Sequence, residues 1–498
     1  MRSAGIVLAL HALRGASLEG DYREYVDSKS LQELINIDDL LKGSQALQDI
    51  ADEHGGNRAF GGGGHNATVD YIFETVEATG YYDVIKQPFT ELYSEASGSI
   101  IIDDKEIAST PMTYTPGGSA SGAALVKVAG LGCSSEDYPA ELDGAVAFTQ
   151  RGECSFGEKA TLALAAGAVG LIVYNNEPGE LSGTLGEPFG DYPPTLGISQ
   201  EDSEPILAAL EEGEVTVDFE VDAVLEERVS YNVIAETKEG DHDNVLVLGG
   251  HSDSVPAGPG INDDGSGSIG ILNVAVALAN FKVKNAVRFA WWSAEEFGLL
   301  GSYHYIKQLN TSEAELAKMR AYLNFDMIAS PNYILGIYDG NGDAFNLTGP
   351  PGSDVLEADF EDYFESVGSK HVPSEFNGRS DYAAFIENGI PAGGLFTGAE
   401  ELKTEEEAEW FGGEAGVAYD VNYHKPGDTI DNLAHDAYLL NTKSIANSVA
   451  KYALSFDDLP AVDVEERGWT ASNSRKVKRG LHAHGHSHSG PCGGNAER

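Results

Sequence analysis

The 498 residues carry 31 basic against 80 acidic side chains, a net charge of −49, and 42% of them are apolar. A field of that sign repels phosphate backbones and anionic lipid surfaces, which argues against nucleic acid and membranes as partners. The apolar fraction is that of a globular chain long enough for several domains, and glycine, at 59 residues or about 12% against a usual ~7%, points to many tight turns and loop-built sites.

In chain order, residues 1–18 read as a short signal peptide: Arg2, an apolar run over 4–10, then Gly15, Ala16 and Ser17. Arg14 sits awkwardly close to any cleavage point, and an ordinary N-terminal segment is the competing reading. Three Asn-x-Ser/Thr sequons, at Asn66, Asn310 and Asn346, fit a secretory route. No interior stretch stays apolar for the roughly 18 residues that a membrane-spanning helix needs.

Residues 28–90 predict helical segments with Gly-rich interruptions, for example 30–41 and 69–79. The four glycines at 61–64 read as a loop, and no Lys-Ser/Thr follows to make it a phosphate cradle. The texture changes over 112–226, where β-like runs at 123–128, 144–148 and 170–173 surround an alanine-rich helix at 156–166, predicting a small α/β module. Within it Cys133 and Cys154 enclose 20 turn-rich residues with no His or Cys companion. They read as a disulfide adding roughly 3 kcal/mol in chain-entropy terms, with Cys492 left unpaired.

From Tyr231 onward, apolar strands are predicted at 245–248, 286–291, 321–325, 333–337 and 392–395. They alternate with helices at 267–280, 299–309, 354–366, 380–387 and 436–455, the pattern of a mostly parallel sheet covered on both faces. The acidic run from Glu400 to Glu409 reads as a solvated helix face rather than a calcium site. Residues 459–498 dissolve into a tail in which His482, His484, His486 and His488 alternate, read as a disordered extension rather than a metal site.

The chemistry-bearing residues follow the predicted strands, where open α/β sheets build their sites. Gly-Gly-His251-Ser-Asp253 follows the first, Gly-Ile-Asn-Asp263-Asp264-Gly opens a helix, Ser-Ala-Glu295-Glu296 follows the second, and Asp326 the third. Tyr423-His424-Lys-Pro-Gly-Asp428 occupies a late loop. Two histidines with several carboxylates suit zinc, whereas calcium and magnesium take oxygen ligands. Each piece has an ordinary alternative: a core histidine, a helix cap at Asp263-Asp264, a solvated helix start at Glu295-Glu296. Taken jointly, carboxylates at neighbouring strand ends repel one another, and a pair of divalent cations is the simplest remedy.

The series GGHSDS, PGINDDGSG, SAEEFGLLGS, NFDMIASPN, GRSDY, GGLFTGAE and YHKPGDT resembles the co-catalytic di-zinc aminopeptidases over roughly residues 28–458. GECSFGEKA and AAGAVGLIVYNN resemble the protease-associated domain inserted in one subfamily of them. The resemblance implies a three-layer α/β sandwich with a mixed, mostly parallel central sheet, the catalytic domain running over 28–111 and 227–458 and the insert over 112–226. It implies two Zn2+ per chain: Asp263 bridging, His251 and Asp326 on one ion, Glu296 and His424 on the other. Glu295 would be the general base for metal-hydroxide attack, Asp253 would orient the ligand histidine, and Tyr423 and Arg379 would hold substrate or oxyanion.

The implied partners are peptides with a free N-terminus, Leu and other large apolar residues leaving first, and the implied protein is a monomer, secreted or held in a vacuolar lumen. Some bacterial relatives have a cysteine on each side of the Tyr-His pair; here Asn422 and Gly427 stand there, so packing must fix the loop. Competing readings are a related carboxypeptidase or dipeptidase, which needs a basic cluster for the substrate carboxylate, a glutaminyl cyclase with one zinc, and a non-catalytic receptor-like homologue lacking a ligand or base.

Overall fold

A computed structural model describes residues 23–309 and 313–461. The expected signal segment, Asn310, the alternating histidines and Cys492 lie outside the described residues.

The chain opens with α1 (Ser28–Glu33), α2 (Ile37–Glu53) and α3 (Gly63–Glu77). The single helix expected over 30–41 is broken, because Asn36 is extended and its side chain accepts the Asp39 N–H to cap α2. Gly63 and Gly64, expected in a loop, open α3 instead. A Cβ on Gly64 would lie 2.2 Å from the Asn57 carbonyl oxygen, so α3 starts there only because glycine lets it pass the preceding turn.

A hairpin of β1 (Tyr82–Ile102) and β2 (Lys105–Ile107) leads into an inserted unit. It comprises β3 (Thr110–Pro111), β4 (Gly118–Lys127), β5 (Val146–Gln150), α4 (Phe156–Ala165), β6 (Gly170–Tyr174), β7 (Thr195–Ile198) and α5 (Gln200–Glu212). Strands β4 to β7 pair in parallel, and a disulfide joins Cys133 to Cys154 just before α4. β8 (Thr216–Thr237) then returns antiparallel along nearly all of β1, from Ile101↔Asp218 to Tyr82↔Thr237. One ribbon therefore serves both units, and residue 226 falls inside it.

The remaining chain forms β9 (Asp241–His251), α6 (Gly265–Leu278), β10 (Asn285–Trp292), α7 (Leu300–Leu309), α8 (Glu313–Lys318) and β11 (Met319–Phe325). After these come β12 (Gly336–Tyr338), α9 (Ser353–Ser366), β13 (Val372–Ser374), α10 (Tyr382–Ile386), β14 (Ala392–Phe396), α11 (Glu405–Phe411) and α12 (His435–Tyr452). Strand order is β13-β12-β14-β11-β9-β10-β8, with β1 outside β8. β14, β11, β9 and β10 are parallel, while β12 runs antiparallel to β14 and parallel to β13, and β8 runs antiparallel to β10, which makes the sheet mixed. Successive strand residues face opposite layers. Leu246, Leu248, Phe289 and Leu323 pack with residues of α6, α9 and α12; Val247, Trp292 and Tyr322 pack with α7 and α10. The result is a three-layer α/β sandwich whose buried parallel strands are the apolar runs visible in the sequence.

Candidate metal and catalytic site

β9, β10 and β11 lie side by side, and the segments that follow them bring Asp263, Glu295, Glu296 and Asp326 to one cavity. His251 ends β9, Glu295 and Glu296 follow β10 by a short turn, and Asp326 follows β11. The Asp263-Asp264 pair divides two tasks. Asp264 caps α6 by accepting the Gly267 N–H on Oδ1 at 2.8 Å, and its Oδ2 accepts the His251 N–H at 3.0 Å. Asp263 instead faces the cavity. A Cβ at Gly250 would lie 2.5 Å from Asp264 Oδ2, so glycine there lets that carboxylate reach the strand. Ala294, Met327 and His424 have φ of 57°, 54° and 55°, left-handed values that side chains rarely adopt and that functional sites impose.

Asp263 offers one oxygen to each histidine: Oδ1 lies 3.1 Å from His251 Nε2 and Oδ2 lies 3.1 Å from His424 Nε2. Asp326 Oδ1 is 3.5 Å from His251 Nε2, while Glu296 Oε2 is 2.9 Å from His424 Nε2. Glu295 is set apart from its neighbour, with Oε2 3.9 Å from His251 Nε2. Asp253 has Oδ1 3.7 Å from His251 Nδ1 and accepts the Glu295 N–H at 3.2 Å, so it touches both the histidine and the base candidate. All of these carboxylates are buried, Glu295 to 7% exposure and Glu296 to 4%, which corrects the solvated helix start considered for the pair.

Burial pushes the Glu295 carboxyl well up, with His251 opposing and Asp326, Asp381 and Glu296 reinforcing the rise. Glu296 is pushed up to about 7 by burial and by Asp263. Burial disfavours a charged His251, yet Asp326, Glu295, Asp253 and Asp263 more than reverse this. Asp263 is held well below the usual carboxylate range because hydrogen bonds from both histidines outweigh its burial. The site thus has more negative charge than its own side chains can neutralise. His251 Nδ1, Asp253 Oδ2 and Glu296 Oε1 are buried without a hydrogen-bond partner, and His251, Asp263 and Glu296 offer ligand atoms within 4.8 Å of one another. These residues fit divalent cations.

Arg379 and Tyr423 meet at the cavity wall. The guanidinium forks onto Glu400, Nη1–Oε1 2.8 Å and Nη2–Oε2 3.1 Å, and donates from Nη2 to the Tyr423 hydroxyl at 3.2 Å. The Tyr423 ring stacks on His424 with centroids 3.8 Å apart. Glu400 is therefore a partner of Arg379, and Glu407 accepts the Tyr419 hydroxyl, so the acidic run is only partly a solvated face. The cavity, of about 360 Å³, is lined on its apolar side by Met327, Ile334, Phe345, Val372, Pro373 and Phe396.

Several supporting residues have contacts that the sequence did not assign to them. Ser380 Oγ donates to Asp326 Oδ2 at 2.5 Å. Asp428 accepts the N–H groups of Asn262 and Asp263, and burial pushes its carboxyl up to about 8. Asn422, in place of a cysteine, donates to Asn432 at 2.6 Å, and a Cβ on Gly427 would lie 2.3 Å from Asn422 Oδ1. Hydrogen bonds as well as packing therefore hold the His424 loop. Arg58, far upstream, is wholly buried under the site. Asn66 and Asn346 are exposed, and the Cys133–Cys154 bridge lies in the inserted unit. No helix among the described residues is long and apolar enough to cross a membrane.

Residues 232–449 match the model of peptidase family M28, and residues 120–206 match the PA domain. A probable leucine aminopeptidase 2 of Aspergillus fumigatus is 51% identical over 468 residues, covering 93% of each chain. A leucine aminopeptidase 2 of Arthroderma otae is 52% identical over 445 residues, covering 89% of this chain and 90% of its own. Among solved structures, an aminopeptidase from Aneurinibacillus sp. strain AM-1 shares the fold with a TM-score of 0.64 at 27% identity, over 88% of this chain and 98% of its own. The chain belongs to peptidase family M28, with a PA domain inserted between the ribbon strands of its sheet.

Proposed function

We propose that this protein is an exported zinc aminopeptidase that removes residues one at a time from free peptide N-termini. The observation that carries the reading is Asp263, which gives one oxygen to each of two histidines, one at the end of β9 and one on a late loop. His251, Asp326 and Asp263 would hold one zinc, and His424, Glu296 and Asp263 the second. Bound there, zinc supplies Lewis acidity toward the scissile carbonyl and lowers the pKa of water.

The chain's own residues do the rest. Glu295, held by Asp253 through its N–H and raised by burial, takes the proton of the attacking water and returns it to the leaving amine. Tyr423, accepting from Arg379, keeps its own O–H to donate to the developing oxyanion. Among the residues lining the cavity Arg379 is the single cation, and Glu400 already neutralises it. That balance favours an ammonium over a carboxylate as the charged end of the substrate, against the carboxypeptidase reading. The apolar wall suits a large aliphatic or aromatic first side chain. The disulfide and the exposed Asn66 and Asn346 support export.

Metal analysis of purified active protein, paired with hydrolysis of amino-acid p-nitroanilides before and after chelation, tests the proposal. Two equivalents of zinc and chelator-sensitive release are expected; full activity in protein free of divalent metal overturns it.

A further inference from the structure

Arg58 lies in the turn between α2 and α3 with no exposed surface. Its Nε donates to Pro259 O at 2.8 Å, Nη1 to Ser252 O at 2.5 Å, and Nη2 to Gly260 O at 2.6 Å. Its backbone N–H donates to Ser254 Oγ at 2.9 Å. Ser252 follows His251 directly, and Gly260 stands on the short run that leads to Asp263. The fork therefore spans the two loops that present the first histidine and the carboxylate shared with His424.

All three side-chain acceptors are neutral carbonyls. A guanidinium buried on carbonyls alone is costly, and ordinary core packing would avoid that cost. Two features offset it. The planar fork fixes three carbonyls at once, which a flexible ammonium cannot do. Its charge also lies in the field of Asp253, Asp428, Asp264 and Asp263.

We propose that Arg58 is a positioning residue for the metal centre, setting the separation of the His251 and Asp263 loops so that both residues meet one ion. The proposal rests on the reading of those two residues as zinc ligands. It differs from a packing role in what it moves. A residue that merely stabilises the fold shifts metal-free and zinc-loaded protein alike. A residue that shapes the site changes the zinc-binding free energy, which shows as the gap between the two unfolding temperatures.

Arg58→Lys and Arg58→Met test this, with zinc affinity read by chelator competition, unfolding temperature read with and without zinc, and kcat and KM read separately. We expect zinc affinity to fall about 10–100-fold in both variants, the usual effect of removing a group that orients ligands. The gap between loaded and metal-free unfolding temperatures should narrow, kcat should fall more than KM rises, and lysine should not restore the wild-type values. Should Arg58→Met fail to fold, Arg58→Lys keeps the charge and carries the same three readouts. Unchanged zinc affinity with both unfolding temperatures lowered together overturns the proposal, as does failure of both variants to fold. Failure of the unaltered protein to take up zinc overturns the zinc reading itself, a result visible before any variant is made.

Discussion

Asp428 accepts the backbone N–H of Asp263 on Oδ2 at 3.0 Å, across 165 positions of sequence. Its Oδ1 accepts the neighbouring Asn262 N–H at 2.8 Å. Asp428 shares a loop with His424, so the segment that brings one histidine also sets the peptide bearing the carboxylate between both. Asp428→Asn places an NH2 group against one of these N–H donors and leaves a buried donor unmet. We expect a loss of about 1–3 kcal/mol in stability and zinc binding weakened roughly 10–100-fold. Chelator competition checks it; lowered stability at unchanged zinc affinity would contradict the coupling.

The two adjacent glutamates should separate cleanly. Glu295→Gln is expected to keep its zinc while the chemical step slows by roughly 10²–10⁴-fold, the range for a lost general base. Glu296→Gln should instead lower zinc occupancy, since Glu296 is the one that lies 2.9 Å from His424. Zinc analysis of both variants decides this, and equal occupancy in the two would mean the roles are misassigned.

Tyr423→Phe removes the O–H while leaving the ring stacked on His424. A fall in kcat of about 10²–10³-fold is expected if that proton meets the oxyanion, with little change in KM. Steady-state kinetics on one peptide substrate measures both; a raised KM at constant kcat would make Tyr423 a binding residue only.

His65, which is not a ligand candidate itself, supplies a pH dependence of its own. It is buried between Ser252 and Ser230, 3.0 and 3.2 Å away, and burial holds its imidazole down to about 4 from an ordinary 6.5. Below pH 6.5 the unfolded chain therefore binds a proton that the folded protein refuses until about pH 4. Stability from this group is complete above 6.5, declines as pH falls toward 4, and levels off below, a total of about 3 kcal/mol. Urea unfolding of wild type and His65→Gln at pH 7 and pH 4 isolates it. The wild type should lose more stability than the variant; parallel losses would contradict the assignment.

The sequence exposed the parallel strands and the residues that follow them because both leave dense local signals. A strand buried on both faces, such as β9, is an unbroken apolar run, and His251, Glu295 and Asp326 stand at or just past such runs. The β1–β8 ribbon left no such signal: its long middle is half exposed, so polar and apolar residues mix along it. The break before α2 depends on the single cap Asn36, and the start of α3 inside a glycine run depends on a close approach to Asn57. Arg58 was invisible for a different reason. Its three acceptors are backbone carbonyls about 200 positions away, and carbonyls carry no residue-type signature. Asp428 and Ser380 stood inside recognisable motifs, but only their contacts with Asp263 and Asp326 show what they hold.

Charge and shape in the cavity bear on which end of a peptide is attacked and by what. The cavity joins carboxylates, one neutralised arginine and an apolar wall, an arrangement matched to a free α-amine carrying a large apolar side chain. A mass-spectrometric time course with one leucine-headed peptide, free and N-acetylated, each with and without a zinc chelator, tests this most directly. The free peptide should shorten one residue at a time from its N-terminus, the chelator should stop it, and the acetylated peptide should persist. Rapid loss from the acetylated peptide, or a ladder that starts at the C-terminus, would contradict the account.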